Sequence, residues 1–321
     1  MGPEHKVQKS FMKRWLRPNA SRPSSHARMD SRSQRTSHSQ RKMNQRQQAQ
    51  ETIKTFPVIA QKKPDAPQDG FLCLPDRYTP LQLKKAKEPR SFPGVSTGVR
   101  VYDGDSFDVA INLANTRPNN PSEMRPVCVL NMANAFGPGG GFTSGSMAQE
   151  EALCYRSTLY ATLKKGFYPI RAREAIYSPS VVIFRENAKK GHAFLDLNQP
   201  GKLPVMAVVS IAADNNPPLN TKTTPHTYAK EEDRELMKER IRITLRVAAH
   251  NGHCSLVLGA LGCGVFRNPN EDVANCFFEV LHEQEFQGWF SNITFAVMGD
   301  RRKGATDNYV VFKNKLHGLI I

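Results

Sequence analysis

From about residue 96 onward, short apolar runs alternate with stretches in which apolar positions recur every three or four residues. The runs at Val99–Tyr102, Val127–Met132, Ser180–Phe184, Val205–Ile211, Leu256–Leu258 and Ile293–Met298 predict β-strands. The longer-period stretches predict helices at Ser106–Ala114, Ala148–Lys165, Glu231–His250 and Glu271–Phe286. Strands mostly separated by helices predict an α/β layered domain with a largely parallel sheet. The unbroken run Val205-Met206-Ala207-Val208-Val209 suits a strand covered on both faces. In such sheets ligands lie beyond the carboxyl ends of the strands, and two glycine-rich loops occupy that position here.

The first 95 residues have a different texture. Residues 1–40 are polar, low in complexity and too poor in apolar groups to order themselves, so a disordered basic tail is expected. Met43, Ala49, Ile53 and Phe56 allow a helix over about 41–57 that ends before Pro57. Residues 58–95, rich in Pro and Lys, read as a covering segment with little regular structure. The expected organisation is a tail at 1–40 and one domain at 41–321, with no internal repeats.

Charge and cysteine content narrow the setting. The 321-residue chain carries a formal charge of +16 with a pI near 9.7, and residues 1–50 hold twelve Lys/Arg against only Glu4 and Asp30. Such a balance favours polyanionic partners without choosing among them. Six cysteines without CxxC spacing read as reduced thiols of an intracellular protein. No run of eighteen apolar residues exists, so no membrane partner is expected. The Arg- and Ser-rich start reads as a nuclear or cytoplasmic solvated tail, with a mitochondrial transit segment as the alternative. It could also contact nucleic acid weakly, without sequence preference.

In the first loop, Val127–Met132 runs into Asn134-Ala135-Phe136-Gly137-Pro138-Gly139-Gly140-Gly141, and seven residues later comes Gln149-Glu150-Glu151. No Gly-Lys-Ser/Thr follows, so this is not a P-loop. Acids in a first helical turn are favourable on dipole grounds alone. Three glycines, six to eight residues and then Gln-Glu-Glu nevertheless resembles the signature of poly(ADP-ribose) glycohydrolases. In the second loop, Leu256–Leu258 leads to Gly259-Ala260-Leu261-Gly262-Cys263-Gly264-Val265-Phe266 and then Arg267-Asn268-Pro269. Alone it reads as a tight turn, but Gly-Cys-Gly-Val-Phe before Asn-Pro resembles the diphosphate-binding loop of macrodomains. Asp105–Ala110, Ser178-Pro179, Ser210–Asn215 and Phe295–Asp300 extend the resemblance to the microbial-type glycohydrolases over roughly the last 280 residues.

The resemblance implies a three-layer α/β/α macrodomain-like fold with a mixed, largely parallel sheet. It implies an exo-acting hydrolase of ribose–ribose O-glycosidic bonds in poly(ADP-ribose), whose partners are that polymer and ADP-ribosylated proteins. A monomer is expected, with no cofactor and no metal. The leaving oxygen of such a bond needs a proton and the attacking water a base. Glu151 is expected to serve as both; Glu150 and a dry cleft would raise its pKa while the helix-end dipole opposes the rise, so the sequence does not give the net shift. Glu150 is expected to bind a ribose hydroxyl, and Gln149 to orient the loop or a hydroxyl. Asn134 is expected to contact ribose. Gly139, Gly140 and Gly141, facing Gly262, Cys263 and Gly264 with Val265, are expected to hold the two phosphates. Phe266 reads either as a wall against ribose or adenine or as a core aromatic. Asp214 reads as an adenine contact or a turn former. His250 and His253 lack the convergent partners of a zinc site. Competing readings are a non-catalytic ADP-ribose reader, a hydrolase of mono-ADP-ribosylated protein or nucleic acid, and an RNA-binding protein led by its tail.

Overall fold

The computed structural model describes residues 25–82, 96–116, 125–299 and 307–321. Residues 1–24 of the expected tail, 83–95 of the covering segment and Asp300 lie outside them. The chain divides into two compact units, residues 1–41 and 42–321. Helix α1, Ser25–Lys62, starts in the first and ends in the second. Its backbone is helical well upstream of the expected start at 41, where a disordered tail was the expectation. Arg, Gln, Met and Ala are good helix formers, and extending an existing helix avoids the nucleation step. The helix also runs through Pro57. Phe56 and Ile59, on either side, are buried with Phe184 and Leu203, and that packing holds the turn that proline weakens.

The second unit is built on a seven-stranded sheet. Its strands are β1 (Phe71–Cys73), β2 (Val99–Tyr102), β3 (Cys128–Met132), β4 (Ala175–Val182), β5 (Val205–Ile211), β8 (Ser255–Leu258) and β9 (Asn292–Ala296), in the order β1-β4-β5-β3-β8-β9-β2. Strands β5, β3, β8, β9 and β2 are mutually parallel, while β4 runs antiparallel to both β5 and β1. Strands β6 (Leu219–Asn220) and β7 (Thr227–Tyr228) form a small separate ribbon.

Period-two alternation along β5 sorts its side chains between two cores. Ala207, Val209 and Ile211 pack with residues of α5 (Glu231–His250), α6 (Asn270–Leu281) and α7 (Asn308–Leu316). Met206 and Val208 pack with residues of α2 (Ser106–Thr116), α3 (Gln149–Arg156) and α4 (Leu159–Thr162). Apolar residues on both faces of one strand make the domain a three-layer α/β/α sandwich of macrodomain-like type. No helix among the described residues is long and apolar enough to cross a membrane.

Several expected elements differ from those found. The single helix expected over 148–165 breaks at Ser157, whose backbone is extended and bridges Ile183, while the Arg156 carbonyl accepts the amides of Phe184 and Arg185. Below it the buried Arg156 guanidinium binds Asp105 and Asp108 and so ties α3 to α2. Strand β4 starts five residues before the expected Ser180 and carries Pro179 within a register shift between Ser178 and Val181. A bulge is where a strand tolerates a missing N–H. The final helix, α7, is not legible in Tyr309-Val310-Val311-Phe312, a run that reads equally as a strand. The Asp307 carboxylate accepts the Tyr309 amide at its start, and Phe312 packs on Phe277 and Phe295.

Candidate active site

Strands β3 and β8 are parallel neighbours, so the two glycine loops leave adjacent strands at the same edge of the sheet. A Cβ at Gly259 would lie 3.4 Å from the Met132 side chain, and one at Gly262 2.7 Å from Ala213, just past β5. The carboxyl ends of β3, β5 and β8 therefore share one crevice.

The start of α3 is fastened to β3 by its first residue. The Gln149 Oε1 accepts the Met132 amide at 2.9 Å, and its Nε2 donates to the Leu130 carbonyl at 2.8 Å and to Ser106 Oγ at 3.2 Å. Glu150 and Glu151 then sit in the first helical turn, only 3% and 7% exposed. Glu150 Oε2 accepts the Asn134 amide at 2.7 Å, and Oε1 accepts Asn131 Nδ2 at 3.3 Å. Asn131 Nδ2 donates in turn to Ser210 Oγ at 2.9 Å. The Gly141 amide donates to Glu151 Oε1 at 2.8 Å, while Glu151 Oε2 is buried without a hydrogen-bond partner among the described residues.

One amide of the glycine triplet, that of Gly141, is engaged by a carboxylate. The Gly141 N–H donates to Glu151 Oε1 at 2.8 Å, and the Gly140 N–H faces the Gly137 carbonyl at 3.4 Å. Gly139 and Gly140 adopt positive φ, and a Cβ at Gly140 would stand 2.8 Å from Glu151 Oε1 and 3.0 Å from Glu150 Oε2. Only a residue without Cβ lets the loop close on both acids. Asn134 Oδ1 accepts the amides of Phe136 and Gly137, so this side chain shapes the loop.

A carboxyl with a raised pKa is present, at Glu150. Burial lifts it to about 8; hydrogen bonds from Asn134 and Asn131 pull the other way, and the charge of Glu151 adds to the rise. Tyr155, beside Glu151, is pushed up to about 12 by burial first and by that charge second. Its hydroxyl donates to the Phe142 carbonyl at 3.0 Å, and the ring packs on Phe142 at 4.9 Å, backing the loop from below.

The second loop is set by Asn268. Its Nδ2 donates to the carbonyls of Asp214 (2.8 Å), Gly262 (3.1 Å) and Phe266 (3.3 Å), and its Oδ1 accepts the Tyr228 hydroxyl at 2.7 Å. The amides of Gly264, Val265 and Phe266 meet no acceptor among the described residues, and Gly264 and Val265 are exposed. A row of unengaged N–H groups is an anion cradle. Cys263 and Phe266 are half-buried and pack against the core on the α5/α6 side of the sheet. Both Asp214 carboxylate oxygens accept from the Arg240 guanidinium at 2.8 Å. Among the described residues no cluster of His, Cys, Asp and Glu could hold a metal ion.

Asn131 and Ser210 are missing from the site residues expected from the sequence, although Ser210 opens one of the resembling segments. The signal was available: each is a polar residue inside an apolar strand, and a buried polar group needs a partner.

A three-layer α/β domain whose glycine loop clasps a buried carboxyl pair at a helix start has the build of a macrodomain-like hydrolase. Comparison with known families matches residues 25–186, just over half of the chain, to "Microbial-type PARG, catalytic domain", a stretch that takes in the first glycine loop and both glutamates. Among solved structures, poly(ADP-ribose) glycohydrolase from Thermomonospora curvata superposes with a TM-score of 0.68 at 28% identity, covering 84% of this chain and 98% of that one. The same enzyme bound to the inhibitor ADP-HPD gives a TM-score of 0.66 at 27% identity, with the same coverage. The enzyme from Deinococcus radiodurans in complex with ADP-ribose gives 0.61 at 30% identity, over 82% of this chain and 98% of that one. No curated protein matches the chain. The chain belongs to the microbial-type poly(ADP-ribose) glycohydrolase family, and its domain is a glycohydrolase catalytic domain.

Proposed function

We propose that Glu151 is the acid/base with which this enzyme cleaves the ribose–ribose O-glycosidic bonds of poly(ADP-ribose). The observation that carries the assignment is the asymmetry of its carboxyl, with Oε1 fixed by the Gly141 amide and Oε2 buried without a partner among the described residues. A proton on Oε2 passes to the leaving ribose oxygen as the anomeric C–O bond breaks. Water then adds to the anomeric carbon and returns its proton to the carboxylate, so the cycle closes without a cofactor.

Glu150 has a different task. Its carboxyl is already engaged by Asn134 and Asn131, which suits holding the loop against the helix better than meeting a free sugar hydroxyl. The free amides of Gly264, Val265 and Phe266 take the diphosphate, and Phe266 lies beside the sugar or base it carries. Cleavage is exo, releasing single ADP-ribose units. ADP-ribosylated proteins are the partners, as in the response to DNA damage, and the chain acts as a monomer. Free cysteines fit a reducing compartment, and the Arg-rich start fits a nuclear or cytoplasmic address with weak nucleic-acid contact.

The test is a time course of poly(ADP-ribose) digestion, with wild type and Glu151→Gln resolved by chromatography. Early appearance of monomeric ADP-ribose with wild type, and its loss with the variant, is expected. Early oligomers would refute exo cleavage. Equal release by both proteins would refute the role of Glu151.

A further inference from the structure

Away from the crevice, on the β1/β4 edge of the sheet, lies an open pocket of about 590 Å³. Strand β4 is two places from β3, so this pocket is separate from the glycine loops. Its walls come from the start of β1, the turn after it, the approach to β3, the bulged part of β4 and the end of α5. The volume is in the range of small-molecule sites, roughly 300–1,000 Å³.

The lining has a definite chemistry. Arg77 and Arg125 contribute guanidinium groups, Phe71, Tyr78 and Tyr177 contribute rings, and no carboxylate is among the lining residues. Arg77 is exposed and forms no ion pair among the described residues. Phe71 is 54% exposed although it belongs to a strand. The rest of the wall is held stiffly. His250 Nε2 faces the Thr79 carbonyl at 3.0 Å, so it carries the proton, and the ring packs edge-on to Tyr78 at 5.7 Å. His253 Nδ1 faces the Pro126 carbonyl at 2.9 Å, which leaves Nε2 to accept the Tyr177 hydroxyl at 2.8 Å. The bulge at Pro179 bends β4 where it borders the pocket.

Guanidinium groups recognise phosphate, exposed ring faces stack on bases, and a wall without carboxylates does not repel an anion. We propose that this pocket is a second binding site, for a nucleoside phosphate, separate from the catalytic crevice. The source is either a distant unit of the polymer being digested or a free nucleotide.

Arg77→Glu and Phe71→Ala, both at exposed positions, test it without touching the crevice. Calorimetric titration of the full chain with ADP-ribose is expected to show two sites in wild type and one in either variant. ADP is then titrated, and KM is measured on long and short poly(ADP-ribose). If the polymer is the source, the variants raise KM for long chains by about tenfold and leave short chains and kcat unchanged. If a free nucleotide is the source, ADP binding at the second site is lost while both KM values stay put. A single ADP-ribose site in wild type, or two that survive both substitutions, overturns the proposal. Neither result bears on whether the crevice hydrolyses its substrate, which the digestion assay reads separately.

Discussion

The Gly141 amide lies 2.8 Å from Glu151 Oε1, and Oε2 of the same carboxyl has no partner among the described residues. An acid that must give up and recover a proton at a sugar carbon needs one oxygen anchored and the other available. On the proposed role, Glu151 Oε2, buried and without a partner among the described residues, would be the available one. A buried polar atom left without a partner calls for an explanation, and the proposed proton transfer to a bound sugar would supply one for this oxygen.

Glu151→Gln keeps the size of the side chain and its contact to Gly141 but cannot cycle a proton. General acid–base groups contribute roughly 10²- to 10⁴-fold to rate, so kcat should fall within that range. Binding of ADP-ribose should stay within a few-fold of wild type, measured by calorimetry. A variant retaining more than a tenth of wild-type kcat would show that the proton comes from elsewhere.

Gly140 makes a sharper test of geometry. Alanine there would bring a Cβ within 2.8 Å of Glu151 Oε1 and 3.0 Å of Glu150 Oε2, at a φ of 52° that favours glycine. Displacing the carboxyl by about 1 Å can lower rate on the order of 10²-fold, and the strained backbone adds roughly 1 kcal/mol of destabilisation. Gly137→Ala, where a Cβ meets nothing within 4 Å, is the matched control and should behave as wild type. Equal kcat for the two variants would show that the clasp around the glutamates is irrelevant to rate.

The same loop shows what could be read in advance. The strand before it, the spacing from Gly139–Gly141 to Glu150 and Glu151, and the helix after it are all in the sequence, because each is a local pattern. What the glycines touch is not local. The Gly141 amide reaches the Glu151 carboxylate only because Gln149 pins α3 to β3, a contact that no periodicity encodes. The break at Ser157 was hidden for a similar reason, since the strand segment that captures Arg156 lies about thirty residues away. Strand β5 was legible over its whole length because burial on both faces leaves an unbroken apolar run.

The raised pKa of Glu150 makes stability depend on pH. Between its ordinary value of 4.5 and about 8 the unfolded chain has released this proton while the folded chain keeps it. The folded state then binds more protons, so the contribution is full below about 4.5 and is lost as pH rises through 8. Glu150→Gln should therefore flatten the decline in stability seen across that window in wild type. Urea midpoints for both proteins at pH 5, 6, 7 and 8 give the comparison, and parallel slopes would rule out a buried, protonated Glu150.

Asn268 governs the other wall of the crevice. One side-chain amide reaches three backbone carbonyls, those of Asp214, Gly262 and Phe266, and thereby joins the end of β5 to the loop after β8. The proposed diphosphate contact by the amides of Gly264, Val265 and Phe266 depends on that join. Asn268→Ala removes it and strands the Tyr228 hydroxyl, whose acceptor is Asn268 Oδ1. Losing a buried partner costs roughly 1–3 kcal/mol, so a measurable drop in unfolding midpoint is expected. The diagnostic readout is the division between KM and kcat. If the loop binds the diphosphate in ground state and transition state alike, KM and the Kd for ADP-ribose rise by a similar factor while kcat changes little. A fall in kcat with KM unchanged would instead place this loop in the chemistry and leave the diphosphate to be held elsewhere.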